Sequence, residues 1–362
     1  MKKKVSLLLL LALWGGLTVF AWFGPRTEIS ESERRPLAQF PQVSVRNILN
    51  GTFMSEFETF SLDQFPLRDG FRNLKSEFHL HFLRQWDNNG IYLTEGYAAQ
   101  QEYPLDMDSV DHAVDRFNRI YDKYLKNARV YMAIVPDKGF YLAESAGQLR
   151  MDYEAMFTAF RQGLPWAKHI DLTDVLSAED YYRTDTHWRQ ENLLSAAGKL
   201  CEAMGVTGPK PEEYTQTRLE IPFYGVYYGQ AALPMAPDKL TLLESDLLSG
   251  CSVYDYESGK VRSVYDLARL EGKDPYEVFL SGPRSLLEIT NPNAETGKEL
   301  ILFRDSFGSS IAPLLLQDYA KVTLVDVRYI QIDLLDKYIE FADQDVLFLY
   351  STLVLNNSGT IK

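Results

Sequence analysis

The sequence predicts an α/β fold built on a doubly wound parallel sheet, and three observations predict it. Across the last 64 residues, apolar strand-like runs at 299–303, 321–327 and 345–350 alternate with helix-like segments at 309–319 and 332–341. The strand runs are continuously apolar, as strands covered on both faces are, and helices between them imply parallel pairing through right-handed crossovers. Earlier in the chain an amphipathic segment is followed directly by Ala128-Arg-Val-Tyr-Met-Ala-Ile-Val135, a β-branched run stopped by Pro136. A chain of 362 residues with 46% hydrophobic and 13% aromatic side chains can bury a core that offsets its conformational entropy without metal or disulfide staples.

The elements follow in order. Lys2-Lys3-Lys4 precedes an uncharged run to Pro25. Its apolar part, 5–23, spans about 28 Å as a helix, close to the hydrocarbon thickness of a bilayer. Lysines before it and acidic residues after it place the N-terminus in the cytoplasm and the rest outside. The alternative is a cleaved signal peptide, with Val19-Phe20-Ala21 offering a small-residue cleavage site. Residues 24–50 hold Pro25, Pro36 and Pro41 without helical period and read as a linker. Apolar positions Val110, Val114, Phe117, Tyr121 and Tyr124 have helical spacing, with Asp108 or Ser109 as cap. Further helices are predicted over 151–162 and over 190–204, the latter ended by Gly205, with a short strand at 168–171. Residues 206–298 are rich in Tyr, Pro and Gly and predict a β-rich insertion. The expected division is a signal-anchor at 1–25, a juxtamembrane linker and N-terminal helical segment at 26–84, and an α/β domain at 85–362 with an insertion at about 206–298.

Charge narrows the function. The formal net charge is −13, and because three lysines belong to the leading segment, the remainder carries −16. With no basic run after residue 4, nucleic acid is excluded as a partner. Placement outside the cytoplasm argues against ATP or NAD, and no cofactor is expected. Cys201 and Cys251 form no CxxC pair, and whether they bond to each other stays open.

Two segments carry chemistry. Ser306 stands in Leu302-Phe-Arg-Asp-Ser-Phe-Gly308, between a predicted strand and a predicted helix, at the end of a parallel sheet where ligands bind. A serine there can be a nucleophile beside backbone N–H groups, or simply a helix cap. Arg304 occupies the place of the first Gly of a G-x-S-x-G elbow, which disfavours the common α/β-hydrolases. The second segment is Asp185-Thr-His187-Trp188. A serine hydroxyl needs an imidazole to take its proton, and the imidazole needs a carboxylate to fix its tautomer. In extended backbone, residues i and i+2 leave on one side, so Asp185 can reach one ring nitrogen while the other faces the serine. The alternative is a helix-start Asp beside a packed histidine. Of the other histidines, His79 and His81 fall on an amphipathic helix, His112 on a helix and His169 near a strand. A metal site on His79, His81, Asp185 and His187 is the weaker reading, and Asp106, Asp108, Asp111 and Asp115 lack the glycine and terminal Glu of a calcium loop.

Together, Asp185-Thr-His-Trp188 and Arg304-Asp-Ser-Phe-Gly308 resemble the DHHW family, relatives of the SGNH-hydrolase-like alginate O-acetylation proteins. Glu33-Arg-Arg-Pro-Leu-Ala-Gln-Phe-Pro41, Gly51-Thr-Phe53, Phe57-Glu58, Asp63-Gln-Phe-Pro-Leu-Arg68, Val135-Pro-Asp-Lys138 and Val325-Asp-Val-Arg-Tyr329 resemble family segments in the same order, over most of residues 30–355. Thr186 departs from the family pattern where a second His stands. The resemblance implies an SGNH-hydrolase-like sheet with permuted motif order, Asp-x-His preceding Ser. It further implies an extracytoplasmic, membrane-anchored O-acetyltransferase acting on a cell-surface or secreted polysaccharide. Ser306 would be the nucleophile, His187 the base and Asp185 its orienter, with the backbone of Ser306 and Gly308 as oxyanion site. Trp188 and Tyr329 are candidate sugar platforms, and Arg304 and Arg328 candidate contacts to an anionic glycan. Each also has a bland role, in the core or in a salt bridge. A multipass membrane acyltransferase is the expected source of acetyl groups. The competing readings are an extracellular carbohydrate acetylesterase and a non-catalytic glycan-binding or assembly protein.

Overall fold

The apolar runs of the C-terminal region become strands buried on both faces, as their lack of alternation requires. The structure is a computed structural model describing residues 2–30, 32–233, 235–294 and 296–362. They form two units, Met1–Asn89 with Tyr228–Ala236, and Gly90–Tyr227 with Pro237–Lys362.

The second unit is built on an eight-stranded sheet. Its strands are β1 (Arg129–Val135), β2 (Lys168–Ile170), β3 (Ser252–Asp255), β4 (Lys260–Arg262), β5 (Leu286–Thr290), β6 (Lys298–Arg304), β7 (Tyr319–Val325) and β8 (Asp345–Ser351). They lie in the order β4-β3-β5-β7-β6-β8-β1-β2. The five strands from β7 to β2 are parallel, with β6 registering Leu302 on Leu347 and Phe303 on Phe348 of β8. The α/β fold is therefore present. The insertion completes the same sheet, because β5, β3 and β4 continue it in antiparallel pairing. The insertion also holds a separate two-stranded ribbon, Thr215–Arg218 with Thr241–Glu244.

Alternate strand residues point to opposite faces. Ala133, Leu300, Leu302, Leu347 and Leu349 join one core with Ala197, Leu200 and Met204 of the helix Leu194–Met204. Met132, Ile134, Ile301, Phe303 and Phe348 join another with Phe117 of Met107–Ile120 and Phe160 of Tyr153–Gly163. Cys201 and Cys251 lie in the first core as free thiols, so the open question of their pairing resolves against a bond. Asp106, rather than Asp108 or Ser109, caps the helix at 107, its carboxylate accepting from the Ser109 N–H. The predicted helix at 309–319 is cut to a turn, Gly308–Ile311 and then Ala312–Leu315, because Pro313 lacks the N–H a longer α-helix would use. The segment predicted helical at 332–341 is a 3-10 stretch, Ile332–Lys337, whose Gln331 supplies no side-chain cap.

The first unit begins with the helix α1 (Lys2–Phe23), of which Lys4–Phe23 is long and apolar enough to cross a membrane. The segment read as a linker is more ordered than its sequence pattern. Ile29–Ser30 pairs with Arg35–Pro36, and Ser44 caps α2 (Val45–Leu49). Next come α3 (Thr52–Asp63) and α4 (Arg68–Glu77), the latter continuing through a π-turn at Phe78–Phe82. Two of the segments behind the family resemblance meet here. Arg35 donates to both oxygens of Asp63, at 2.8 and 2.6 Å, and holds that carboxyl down at about 2. Glu33 lies 2.5 Å from Arg68 and 3.2 Å from Arg72.

Candidate active site

Just past the carboxyl ends of β1, β6, β7 and β8 stand the buried polar residues Asp137, Asp305, Asp326 and Thr352. Beyond β6 the chain turns through Asp305, Ser306 and Phe307 into the short helix at Gly308. Asp305 is wholly buried and ties this turn down. One carboxylate oxygen accepts from the Phe307 N–H (3.0 Å), and the other accepts from both the N–H and hydroxyl of Ser351 at the end of β8 (2.7 Å each). Gly308 is required for close approach, since a Cβ there would lie 2.6 Å from the Arg304 Cβ. Ser306 is left partly exposed, facing the second segment.

That segment is a loop closed by the bridge between Tyr181 and Trp188. Asp238 holds its first half, accepting from the backbone N–H groups of Arg183 and Thr184 and from the Thr184 hydroxyl. Gly225 lies so close that a Cβ would fall 2.2 Å from the Thr184 carbonyl. This contact lets the Val226 N–H reach one oxygen of Asp185 at 2.8 Å. The other Asp185 oxygen accepts from the His187 N–H (3.0 Å) and lies 2.6 Å from its Nδ1. A carboxylate only accepts, so Nδ1 carries the proton and Nε2 is free to accept from the Ser306 hydroxyl, 2.8 Å away. Asp185, His187 and Ser306, picked from two segments 119 residues apart, form one relay.

Four supporting residues were not singled out in the sequence for the roles they hold. Tyr276, from the insertion, stacks on the His187 ring and donates to the Ser310 hydroxyl at 2.9 Å. Gly225 sits in a Tyr/Gly-rich stretch whose glycines could have been read as close approaches. Asp305, quoted only as a neighbour of Ser306, ties the nucleophile turn to Ser351 at the end of β8. Lys138, which opens the short helix Lys138–Leu142 after β1, is buried, donates to the Tyr182 carbonyl at 2.9 Å and lies 4.9 Å above the Tyr227 ring. Burial pulls its ammonium down to about 7 against the opposing pull of Asp185, Asp238 and Asp137.

Three expected roles are corrected. Trp188 is wholly buried, donating to the Phe307 carbonyl and the Ser310 hydroxyl, so it braces the nucleophile turn and offers no platform to a sugar. Arg304 is equally buried, donating to the Asp305 carbonyl at 3.3 Å and lying 3.8 Å from Asp326, out of reach of a glycan. The Gly308 N–H is spent on the Asp305 carbonyl (3.1 Å), whereas the Ser306 N–H has no acceptor among the described residues. Arg328 forms a two-pronged pair with Asp326 at 2.9 and 2.7 Å. Tyr329 is half exposed beneath the Arg328 guanidinium and has no contact with the relay among the described residues. Both ring nitrogens of His187 serve the relay, which leaves none for the alternative metal arrangement.

The sheet and the relay together define an α/β protein with an Asp–His–Ser relay at the carboxyl end of its parallel strands. Solved structures share the fold. A DHHW family protein from Eubacterium siraeum is 21% identical, with a TM-score of 0.62, over 76% of this chain and 95% of that one. Bacillus cereus PatB1 is 18% identical, with a TM-score of 0.58 over 73% of this chain and 96% of that one. A structure of the same protein with a sulfonyl adduct matches equally well, at 17% identity over 73% and 97%. No family model matches the chain, and no curated protein matches it.

Proposed function

We propose that this chain is a membrane-anchored, extracytoplasmic O-acetyltransferase that acts on a cell-surface or secreted polysaccharide through an acyl-serine intermediate. The observation that carries the reading is the unbroken hydrogen-bond chain Asp185–His187–Ser306, at 2.6 and 2.8 Å, opening at the carboxyl end of the sheet. In this reading His187 Nε2 takes the proton of Ser306 as its oxygen bonds to the acetyl carbon. Asp185 stabilises the imidazolium. The Ser306 N–H is the backbone donor placed to meet the developing oxyanion. His187 then returns its proton to the departing group, takes a proton from a sugar hydroxyl as that oxygen attacks the acyl-serine, and gives it to the Ser306 oxygen as the serine ester bond breaks. The fold shared with PatB1 supports the reading. A sulfonyl adduct is what an activated nucleophile forms with a sulfonyl electrophile, and one PatB1 structure carries such an adduct. The apolar helix Lys4–Phe23 supports placement at the membrane, and a multipass acyltransferase would deliver acetyl groups made inside the cell.

The test is acetyl transfer by the purified chain from a chromogenic acetyl ester. Wild type should release the chromophore and acetylate added oligosaccharide, and Ser306→Ala and His187→Ala should do neither while remaining folded. Acetate release with no acetylated sugar would make the chain an esterase. Equal rates in all three proteins would reject the acyl-serine reading.

A further inference from the structure

α4 and its π-turn carry an apolar stripe that faces outward. Leu67, Phe71, Leu74, Phe78 and Phe82 recur at three- and four-residue steps and are between 45% and 76% exposed, with the Phe78 and Phe82 rings stacked at 4.7 Å. The opposite, polar face is the packed one. Arg72 donates to the Gly229 carbonyl at 2.6 Å, Ser76 donates to that of Ala231 at 2.8 Å, and Asn88 donates to both Ser76 and Ala231 at 2.7 Å. A surface helix of a water-soluble protein turns its apolar face inward, so this helix is mounted the wrong way round for water. Some apolar phase covers the stripe.

We infer that this phase is the lipid bilayer, and that α4 with its π-turn lies in the membrane interface as a second attachment beside α1. Continuity within the unit favours lipid. Trp22 at the end of α1 packs on Phe57 of α3, ring centroids 6.1 Å apart, and Trp14, Trp22, Phe57, Phe60 and Phe65 line one apolar groove. The chain leaving the span therefore stays against its apolar surface. Aromatic composition agrees, because Phe and Trp side chains favour the boundary between acyl chains and headgroups, and Trp86 just beyond the stripe is 70% exposed. So does charge. Residues 26–86 hold eight basic and eight acidic side chains, whereas the acidic excess of the chain lies beyond them, so an anionic leaflet does not repel this segment. An interfacial helix would fix the height of the first unit above the bilayer more firmly than a single span can.

The inference rests on α1 spanning the membrane, and the test separates the two. Cys201 and Cys251 are buried, so a single introduced cysteine takes a nitroxide label selectively. Labels at Leu10→Cys, Leu74→Cys, Phe78→Cys and Asp122→Cys are placed, one at a time, in the full chain in nanodiscs of phosphatidylcholine and phosphatidylglycerol holding no other protein. Collision with oxygen and with a water-soluble nickel chelate is then measured. Labels at 74 and 78 should collide severalfold more with oxygen and severalfold less with nickel than the label at 122. Nickel access at 74 and 78 equal to that at 122 would overturn the proposal. Shielding from both quenchers would also overturn it, assigning the stripe to a second copy of the chain. A label at Leu10 open to nickel would instead reject the reading of α1, independently of the stripe.

Discussion

The ring of Tyr276 lies flat against the imidazole of His187, centroids 3.9 Å apart and planes 11° from parallel. A neutral ring face fixes imidazole orientation and supports its positive form through the quadrupole. The phenol oxygen points away, to Ser310. Tyr276→Phe should therefore keep most of the acetyl-transfer activity, whereas Tyr276→Ala should lower kcat by about tenfold or more with little change in KM. Steady-state kinetics on the two variants check this, and equal losses in both would mean the hydroxyl rather than the ring matters.

Gly225 has no space for a side chain against the Thr184 carbonyl, and its neighbour's N–H holds the second oxygen of Asp185. Gly225→Ala should push this segment off the loop and leave Asp185 free to rotate. Activity should fall on the order of 10²-fold or more, approaching the loss in Asp185→Ala. The measurement is kcat alongside circular dichroism, and a folded, fully active variant would contradict the argument.

Lys138 makes stability depend on pH above neutrality. Its folded-state pKa, about 7, lies below the ordinary lysine value of 10.5, so between the two the unfolded chain binds the extra proton. Stability should rise with pH across that window, by up to about 1.4 kcal/mol per pH unit, and be lost as pH falls back to 7. Lys138→Met should remove the slope. Denaturant titrations of the detergent-solubilised chain at pH 7, 8 and 9 read it directly.

Glu102 acts in the opposite direction. Burial, helped by Asp137, pushes its carboxyl up to about 7 from 4.5, so the folded state holds a proton that the unfolded state has released. Its stabilising contribution is present below pH 4.5 and is lost as pH rises through 7. Glu102→Gln imitates the protonated form and should raise stability at pH 8 by on the order of 2 kcal/mol while changing little at pH 4.5. A variant less stable than wild type at pH 8 would mean that Gln100 and Asn356 need the ionised carboxylate.

The sequence alone disclosed the alternation of strands with their connecting segments and offered Asp185, His187 and Ser306 as a candidate relay. Both are local properties. Continuous apolar runs report burial on two faces, and Asp, His and Ser stand at junctions where loops leave a sheet. It determined much less about what surrounds those residues. Trp188 and Arg304 each had two readings, as glycan contacts or as core and salt-bridge residues, and packing decided for the second, making one a brace beneath Phe307 and the other a buried partner of Asp326. The Gly308 N–H read as an oxyanion donor until the turn itself consumed it. Tyr276 and Gly225 gave no hint of their partners, because each meets the relay across tens of residues of chain. In the same way, the sequence places His79 and His81 on an amphipathic helix, but not which of its faces is covered. Spacing along a helix or strand encodes a side chain's direction relative to its own backbone. What lies in that direction depends on contacts between distant segments, and these exist only once the chain has folded.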